Sequence, residues 1–246
     1  MHLRKPIIAA NWKMHKTGGE VEEFFTTLLP QIKDLKPQVW VAPSATALRL
    51  AVKAVHGSYV LIGAQNIYFE EKGAFTGEIS APQVADCGAK FVIIGHSERR
   101  RLFGENNPDI KKKINSAASN GLIPLLCIGE TLEERKNHQT EHVLKNQLVS
   151  VLDEHFEGVI AYEPVWAIGT GQSATSAMIE EAHGVCKEIL KKLCRKGDQI
   201  PVLYGGSVTP ETTHALSRTK YVDGALVGGA SLEAKSFLSI IRGFTS

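Results

Sequence analysis

The sequence predicts an α/β fold: a closed barrel of eight parallel strands, with helices between them, in a single domain over residues 1–246. Eight short apolar runs recur along the chain, and each leads through polar or Gly-rich residues into a helical pattern. The runs are continuous rather than alternating, which is typical of strands buried on both faces. They cover residues 7–10, 39–42, 60–64, 91–94, 122–127, 159–162, 201–204 and 225–227.

Amphipathic patterns between the runs predict helices, most clearly over residues 19–29, 109–120, 139–155, 177–193 and 234–242. Strand–helix alternation permits either an open, doubly wound sheet or a closed barrel, and a single barrel of this kind has about 250 residues. An open sheet has edge strands, which are usually short or guarded by charge. The first and last runs are as apolar as the others, so we predict that strand 8 closes onto strand 1.

Composition and charge argue against several classes of partner. The chain is 43% hydrophobic and 22% charged, with a formal net charge of +2, which gives little attraction for a polyanion. The densest basic cluster, Arg99-Arg100-Arg101, is mixed with Glu98 and Glu105 and is too short for a nucleic-acid footprint. No apolar stretch approaches the roughly 18 residues of a membrane span. We therefore expect neither a nucleic acid nor a membrane as a partner.

The cysteines and histidines indicate a cytoplasmic protein with reduced thiols and no metal site. No CxxC motif and no metal-finger spacing of histidines occurs, and no signal region follows the N-terminus. All histidines except His96 are predicted to lie on termini, loops or helix surfaces, His183 included. The four cysteines are Cys87, Cys127, Cys186 and Cys194.

Polar residues and glycines follow several of the predicted strands. The carboxyl ends of barrel strands share one face, where barrel enzymes carry their reactive groups. The segments after strands 1, 3, 4, 6, 7 and 8 are Asn11-Trp12-Lys13, Gln65-Asn66, Gly95-His96-Ser97-Glu98, Glu163, Gly205-Gly206-Ser207 and Gly228-Gly229. One ring of loops thus gathers a lysine, a histidine, two carboxylates, three amides and two glycine pairs.

The two glycine pairs follow strands 7 and 8, where barrels commonly bind phosphate. Glycine lets backbone N–H groups approach an anion closely, and a following helix N-terminus adds a favourable dipole. A single pair is more often a tight turn, but two pairs on adjacent strands favour a phosphate site.

Three of the side chains in this ring have both a catalytic and an ordinary interpretation. Glu163, between an apolar run and Pro164, is either an exposed loop carboxylate or a general base whose pKa is raised by desolvation. His96 is either structural or a donor to a carbonyl, kept neutral by a helix N-terminus that Ser97 caps. Lys13 is either a surface lysine or a fixed cation for a phosphate or an enolate.

Two loops are unusually apolar. The segment 164–171 is either a lid that excludes water or a loop packed permanently on the barrel. The loop 66–79 carries Phe69 and Phe75, and an exposed apolar loop of this length usually meets a partner. We expect a homodimer contact there.

Other functions of a phosphate-binding barrel fit the sequence less well. An aldolase needs a Schiff-base lysine near the middle strands, and no lysine ends strand 5 or 6. A dinucleotide-binding protein needs GxGxxG after strand 1, where Asn11-Trp12-Lys13 stands instead. A non-enzymatic scaffold predicts an eroded set of reactive residues, whereas Glu163, His96 and Lys13 are all present.

The sequence resembles the triosephosphate isomerase family from end to end. The resemblance implies a TIM barrel and a homodimer in the cytoplasm. It also implies a cofactor-independent isomerase of glycolysis and gluconeogenesis, which interconverts dihydroxyacetone phosphate and D-glyceraldehyde 3-phosphate through an enediol-type intermediate. The matching segments are Ala10-Asn11-Trp12-Lys13-Met14, residues 73–80, Gly95-His96-Ser97-Glu98-Arg99-Arg100, Cys127-Ile128-Gly129-Glu130, residues 161–171, Tyr204-Gly205-Gly206-Ser207-Val208 and Leu226-Val227-Gly228-Gly229-Ala230-Ser231.

The resemblance also implies a role for each reactive side chain. Glu163 moves a proton between neighbouring carbons, and neutral His96 donates to the carbonyl and shuttles protons between the oxygens. Lys13 stabilises negative charge, Asn11 helps to orient the substrate, and Glu98 holds Lys13.

For the phosphate, the resemblance implies backbone N–H groups of Gly169, Ser207 and Gly229, close to Gly228. Closure of the lid would bring Gly169 onto the phosphate and swing Glu163 away from Ser97.

The family resemblance further implies that the loop from Gly73 to Glu78 inserts into the neighbouring subunit, where Thr76 supports the region of Asn11 and Lys13. Two residues depart from the family pattern. His15 stands where Asn is usual and is expected to alter the dimer contact and its pH response. Gln172 stands where Lys is common and is expected to alter the kinetics of the lid hinge.

Overall fold

Eight parallel strands pair in chain order and close into a barrel in the computed structural model, which describes residues 5–167 and 174–245. Ile8 of the first strand lies opposite Ala225 of the last, so the predicted closure and the predicted fold class are confirmed. Each predicted run matches a strand to within a residue at either end. The strands are β1 (Ile7–Asn11), β2 (Gln38–Ala42), β3 (Leu61–Ala64), β4 (Phe91–Ile94), β5 (Ile123–Ile128), β6 (Val159–Tyr162), β7 (Val202–Tyr204) and β8 (Gly224–Val227).

Helices connect the strands. In the described ranges they are α1 (Gly18–Ile32), α2 (Leu48–Ala54), α3 (Ala81–Asp86), α4 (Ser97–Phe103), α5 (Asn107–Ser119), α6 (Leu132–Lys136), α7 (Thr140–Val149), α8 (Ser176–Leu193), α9 (Pro210–Ser217) and α10 (Ala234–Gly243). The five predicted helices are present, but the one predicted over 139–155 is too long. It ends at Val149, and the helical pattern breaks just beyond, since the N–H of Val151 bonds the carbonyl of Leu148, three residues back rather than four. No helix within these ranges is long and apolar enough to cross a membrane.

Alternate strand residues divide the core into two parts. One set fills the inside of the barrel, where Trp40 and Phe91 pack with ring centroids 4.8 Å apart. The other set faces outward and packs under the helices, as Ile8 and Val92 do. Because both faces are buried, the strands are continuous apolar runs. Gly63 leaves room for the ring of Phe91, since a Cβ there would lie 2.5 Å from it.

Candidate active site

Glu163 and His96 meet at the carboxyl end of the barrel. Glu163 directly follows β6, and its backbone N–H donates to the carbonyl of Ile128 in β5 at 2.7 Å. Its side chain is 2% exposed, which excludes the interpretation as a solvated loop carboxylate. Oε1 lies 3.1 Å from Nε2 of His96, and Oε2 accepts the backbone N–H of Ser97 at 3.0 Å. A buried carboxylate is thus held against an imidazole and the first turn of α4.

The pKa of Glu163 is lowered in this conformation. Burial acts to raise it, but the charge and hydrogen bond of His96 and the N–H of Ser97 outweigh burial. Desolvation therefore acts in the expected direction, but the net pKa of Glu163 is lowered rather than raised in the conformation in which the carboxylate touches Ser97.

His96 is the N-cap of α4, because its Nδ1 accepts the backbone N–H of Glu98 at 3.2 Å. We expected Ser97 in this role, but Ser97 is the first residue of the helix. An accepting Nδ1 requires a neutral ring with its proton on Nε2, which faces Glu163. The structure therefore directs an N–H donor at the site from a neutral imidazole.

The pKa of His96 is also opposite to the expectation from a helix N-terminus. Burial lowers it, but the charge and hydrogen bond of Glu163, with a smaller contribution from Glu98, raise it above its ordinary value. Because Glu163 supplies most of the increase, the increase depends on contact between the two side chains. Without Glu163, burial would be opposed mainly by the smaller effect of Glu98.

Lys13 projects toward the same pair from the end of β1. Its backbone has a φ of 50°, a left-handed conformation that is rare for residues other than glycine and common at functional sites. Its Nζ lies 2.5 Å from Oε1 of Glu98, and its side chain passes within 3.6 Å of where a Cβ of Gly228 would be. Asn11 is 5% exposed, and its Oδ1 accepts the N–H of Lys13 at 3.1 Å.

Gln65, which follows β3, holds this strained turn in place. Its amide donates to the carbonyl of Lys13 at 2.8 Å and to that of Ala42 at 2.9 Å. The sequence placed Gln65 in the ring of loops but gave it no role. Its position after a strand was the only available signal, because these backbone acceptors cannot be read from a sequence.

The glycine pairs lie on both sides of the reactive side chains. Gly205 packs against Glu163, since a Cβ there would lie 2.9 Å from Cγ of that residue. Gly229 is exposed and begins a 3-10 turn, Gly229–Ser231, whose first N–H groups have no partner within the turn. Trp12 fixes this turn by donating its indole N–H to the carbonyl of Ser231 at 3.2 Å. Ser207, after β7, is half-buried on the same face.

The predicted lid lies partly outside the described residues, and Gly169 and Gln172 are among those outside. A 3-10 turn, Val165–Ala167, begins the segment. Glu130, fully buried, accepts the hydroxyl of Tyr162 at 3.0 Å and the indole N–H of Trp166 at 3.2 Å. Burial raises the pKa of Glu130. Glu130 thus anchors the start of the segment 164–171, a role that we did not predict from the sequence.

The loop 66–79 forms an aromatic cluster beside a cavity of about 650 Å³. Tyr68 stacks on Phe69 with centroids 4.2 Å apart and contacts Phe75, which is 41% exposed. Thr76 is exposed in this loop, and no hydrogen bond within residues 5–167 and 174–245 joins it to Lys13. Lining residues of the cavity include Asn11, Lys13, Met14, His15, Glu78 and His96.

Outside this face, His183 is buried, which contradicts its predicted place on the surface. Its Nδ1 lies 3.1 Å from the carbonyl of Tyr221, and its ring meets that of Tyr162 edge-on. Burial lowers the pKa of His183 to about 4. Among the described residues, no group of three His, Cys, Asp or Glu side chains could hold a metal ion.

Known proteins resemble the chain over nearly its whole length. A family model described as triosephosphate isomerase matches residues 6–244. A triosephosphate isomerase of Geotalea uraniireducens is 45% identical, with 98% of this chain and 99% of that protein covered. One of Chlamydia caviae is 42% identical, with 98% of each chain covered. The crystal structure of triosephosphate isomerase from Bartonella henselae is similar at a TM-score of 0.91 and 38% identity, and the match covers 99% of this chain and 100% of that chain.

Proposed function

This chain belongs to the triosephosphate isomerase family, and on that premise we propose which of its side chains interconvert dihydroxyacetone phosphate and D-glyceraldehyde 3-phosphate. One observation carries the proposal: the carboxylate of Glu163 lies 3.1 Å from Nε2 of His96, at the mouth of the barrel and beside two glycine turns. Such a pair can take a proton from carbon while it donates one to the adjacent oxygen.

Glu163 is the base. It removes a proton from the carbon next to the carbonyl, and the electron pair of that C–H bond moves into the new carbon–carbon double bond. His96 donates its Nε2 proton toward the carbonyl oxygen, which limits the charge on the enediol-type intermediate. Glu163 then returns the proton to the neighbouring carbon, while the hydroxyl on the carbon that first lost its proton gives its own proton back to His96 and becomes the new carbonyl, so that the reaction consumes no co-reactant. Departure of the carboxylate from Ser97 raises its basicity, because the N–H that lowers its pKa is lost.

Lys13 and Asn11 bind the reacting end of the substrate. The ammonium group of Lys13 is fixed by Glu98, whose carboxylate also lies 3.7 Å from His96, and it is close to the turn at Gly228, where it can stabilise an enediolate or a phosphate. Asn11 supports the strained turn of Lys13 and is itself nearly buried. A preformed cation needs no rearrangement when negative charge develops.

The phosphate is bound by backbone N–H groups of Ser207, Gly228 and Gly229, with Gly169 added by closure of the lid. The exposed start of the 3-10 turn at Gly229 supports this proposal, because N–H groups at such a start have no partner within the turn. The ammonium group of Lys13 next to Gly228 supplies a complementary charge.

The chain forms a homodimer in the cytoplasm through the loop from Gly73 to Glu78. The aromatic cluster of this loop and the adjacent cavity support the proposal, because a protruding apolar loop and a pocket are complementary surfaces. Thr76 of one subunit would then reach the region of Asn11 and Lys13 in the other. His15 lines the cavity, so we expect it to contribute to the pH response of the dimer.

Shortening the base tests these roles. Glu163→Asp draws the carboxylate back by about one bond length, and we expect kcat to fall by about 100-fold or more while phosphate binding persists. Glu141→Asp removes the same methylene from an exposed residue of α7 and serves as the matched control. Full turnover by Glu163→Asp would show that another group is the base.

A further inference from the structure

Arg100 is a cation beside the active site, and it has no role in the proposed reaction. It belongs to α4, and its guanidinium turns back from the helix toward the barrel. Nε donates to the carbonyl of Gly95 at 2.8 Å, Nη2 to that of Cys127 at 3.3 Å, and Nη1 to Oδ1 of Asn107 at 2.8 Å. The three acceptors lie after β4, in β5 and at the start of α5, so one side chain joins three elements.

Two of these acceptors are next to the catalytic pair. Gly95 immediately precedes His96. Cys127 immediately precedes Ile128, whose carbonyl accepts the backbone N–H of Glu163 at 2.7 Å. The guanidinium therefore bridges the backbone that carries His96 and the backbone that holds Glu163. Gly95 leaves room for this bridge, because its φ is 70° and a Cβ there would lie 3.1 Å from Nη2 of Arg100.

The charge of Arg100 also acts on Glu163. Burial lowers the pKa of the guanidinium, and Cys127, Glu105 and Glu163 are the groups that counter this. Because the attraction is mutual, Arg100 favours the ionised form of Glu163.

Several other groups face Glu163 from the elements around it. His96 and the N–H of Ser97 contact its carboxylate, and the thiol of Cys127 faces it from β5. Burial raises the pKa of that thiol well above its ordinary value, so it is uncharged. Lys13 and Glu98 lie beyond His96 and are paired with each other.

We propose that Arg100 is a positioning residue of the isomerase: its guanidinium ties the end of β4 to the end of β5 and so fixes, relative to each other, the backbone segment that carries His96 and the backbone segment that holds Glu163. This inference rests on the proposed roles of those two side chains. A planar fork with several donors in fixed directions can bond three acceptors at once, whereas lysine offers a single flexible ammonium group. A lysine at this position would therefore keep the charge of Arg100 but lose the simultaneous bonds to three acceptors.

Two substitutions distinguish the effect of the fork from the effect of the charge. Arg100→Lys keeps the charge and loses the fork, and Arg100→Gln loses both. Because proton transfer depends on positioning, we expect either variant to lower kcat for D-glyceraldehyde 3-phosphate by about 10- to 100-fold. KM should stay within about twofold, since the phosphate turns after β7 and β8 are not among the contacts of Arg100. Arg101→Gln, at the exposed neighbouring position, is the matched control and should retain wild-type kcat.

The pH profile of kcat/KM distinguishes positioning from a general structural role. Loss of the cation in Arg100→Gln disfavours the carboxylate of Glu163, so the acid limb should move to higher pH than in the wild type. In Arg100→Lys the charge remains, so the limb should stay close to its wild-type position while kcat is still reduced. Ionisation of the substrate is common to all variants and cancels in the comparison.

A milder variant serves if the substitutions at Arg100 impair folding. Asn107→Ala removes one of the three acceptors, and we expect kcat to fall by about two- to fivefold with KM unchanged.

The inference would be overturned if folded Arg100→Gln kept both the wild-type kcat and the wild-type acid limb. It would also be overturned if Asn107→Ala kept the wild-type kcat. A loss of activity that matches the loss of folded protein would overturn it as well. If the wild-type protein lacks turnover, or if Glu163→Asp retains it in full, the proposed function fails instead.

Discussion

The reactive side chains hold one another in a resting arrangement. Glu163 lies against His96 and Ser97, and each partner lowers its pKa in spite of its burial. Lys13 is held by Glu98 and by a strained backbone turn. A base that rests in favourable contacts must leave them to become more basic, so the proposed mechanism requires Glu163 to move.

The two pKa values should be coupled. Glu163 raises the pKa of His96, whereas burial lowers it. Glu163→Gln removes the charge and leaves the burial, so the pKa of His96 should fall below its wild-type value. Histidine NMR titration of both proteins, with the resonance assigned by a His96→Gln variant, checks this. An equal or higher pKa of His96 in Glu163→Gln would show that the carboxylate does not govern it.

A buried ionic network joins α4 to α5 and to the segment after β3. Lys113 of α5 bonds Glu105 after α4 and donates to Oδ1 of Asn66 after β3 at 2.8 Å. Nε of Arg99 lies 3.3 Å from the same Glu105 carboxylate. The side chains of Glu105 and Lys113 are 4% and 6% exposed. The network thus fixes the helix that carries His96 to the loop 66–79.

Breaking this network should cost more than breaking a surface pair. Glu105→Gln leaves Lys113 as an uncompensated buried charge, so we expect the free energy of unfolding to fall by about 3 kcal/mol. Asp86→Asn breaks the pair of Arg49 and Asp86, whose side chains are 75% and 77% exposed, and should cost less than about 1 kcal/mol. Denaturant unfolding of both variants measures the difference. Equal losses would contradict the importance of burial.

The long elements could be predicted from the sequence, whereas the contacts between them could not. Strands buried on both faces are continuous apolar runs, and long amphipathic helices have a clear period. Helices such as α6, with five residues, are too short for periodicity to reveal. The N-cap role of His96 was missed because histidine is not among the common capping residues.

The residues of the site could be predicted because they follow strands, and all strand ends meet on one face. The supporting residues are different. Gln65, Glu130 and Arg100 act through backbone carbonyls or through side chains distant in sequence, which only the folded chain brings together. His183 was predicted to lie on a helix surface, but it belongs to the buried face of α8.

At the scale of the whole molecule, barrel closure places β1 beside β8 and so brings Lys13 beside Gly228. The loop 66–79 lies beside the cavity at Met14, which is 93% exposed. An apolar loop and an exposed methionine on the rim of the site are surfaces that a second subunit would bury.

The proposed dimer can be tested by placing a charge in this loop. Phe75→Glu puts an unpaired carboxylate where the proposed interface is apolar, so the protein should sediment as a monomer at concentrations where the wild type is a dimer. Val149→Glu adds the same charge on α7, at a residue that is 50% exposed and outside the loop, and should not change the mass. A dimer formed by Phe75→Glu would place the interface elsewhere.

Exchange of carbon-bound hydrogen tests the central claim, that Glu163 transfers the proton, most directly. Dihydroxyacetone phosphate is incubated in heavy water with wild-type protein or with Glu163→Gln, and deuterium at the carbon beside the carbonyl is followed by NMR. The wild type should incorporate deuterium, because the base exchanges its proton with solvent before returning it. Glu163→Gln should bind the phosphate and lose the exchange by about 1000-fold or more, since an amide cannot accept the proton. Rapid exchange by Glu163→Gln would contradict the account.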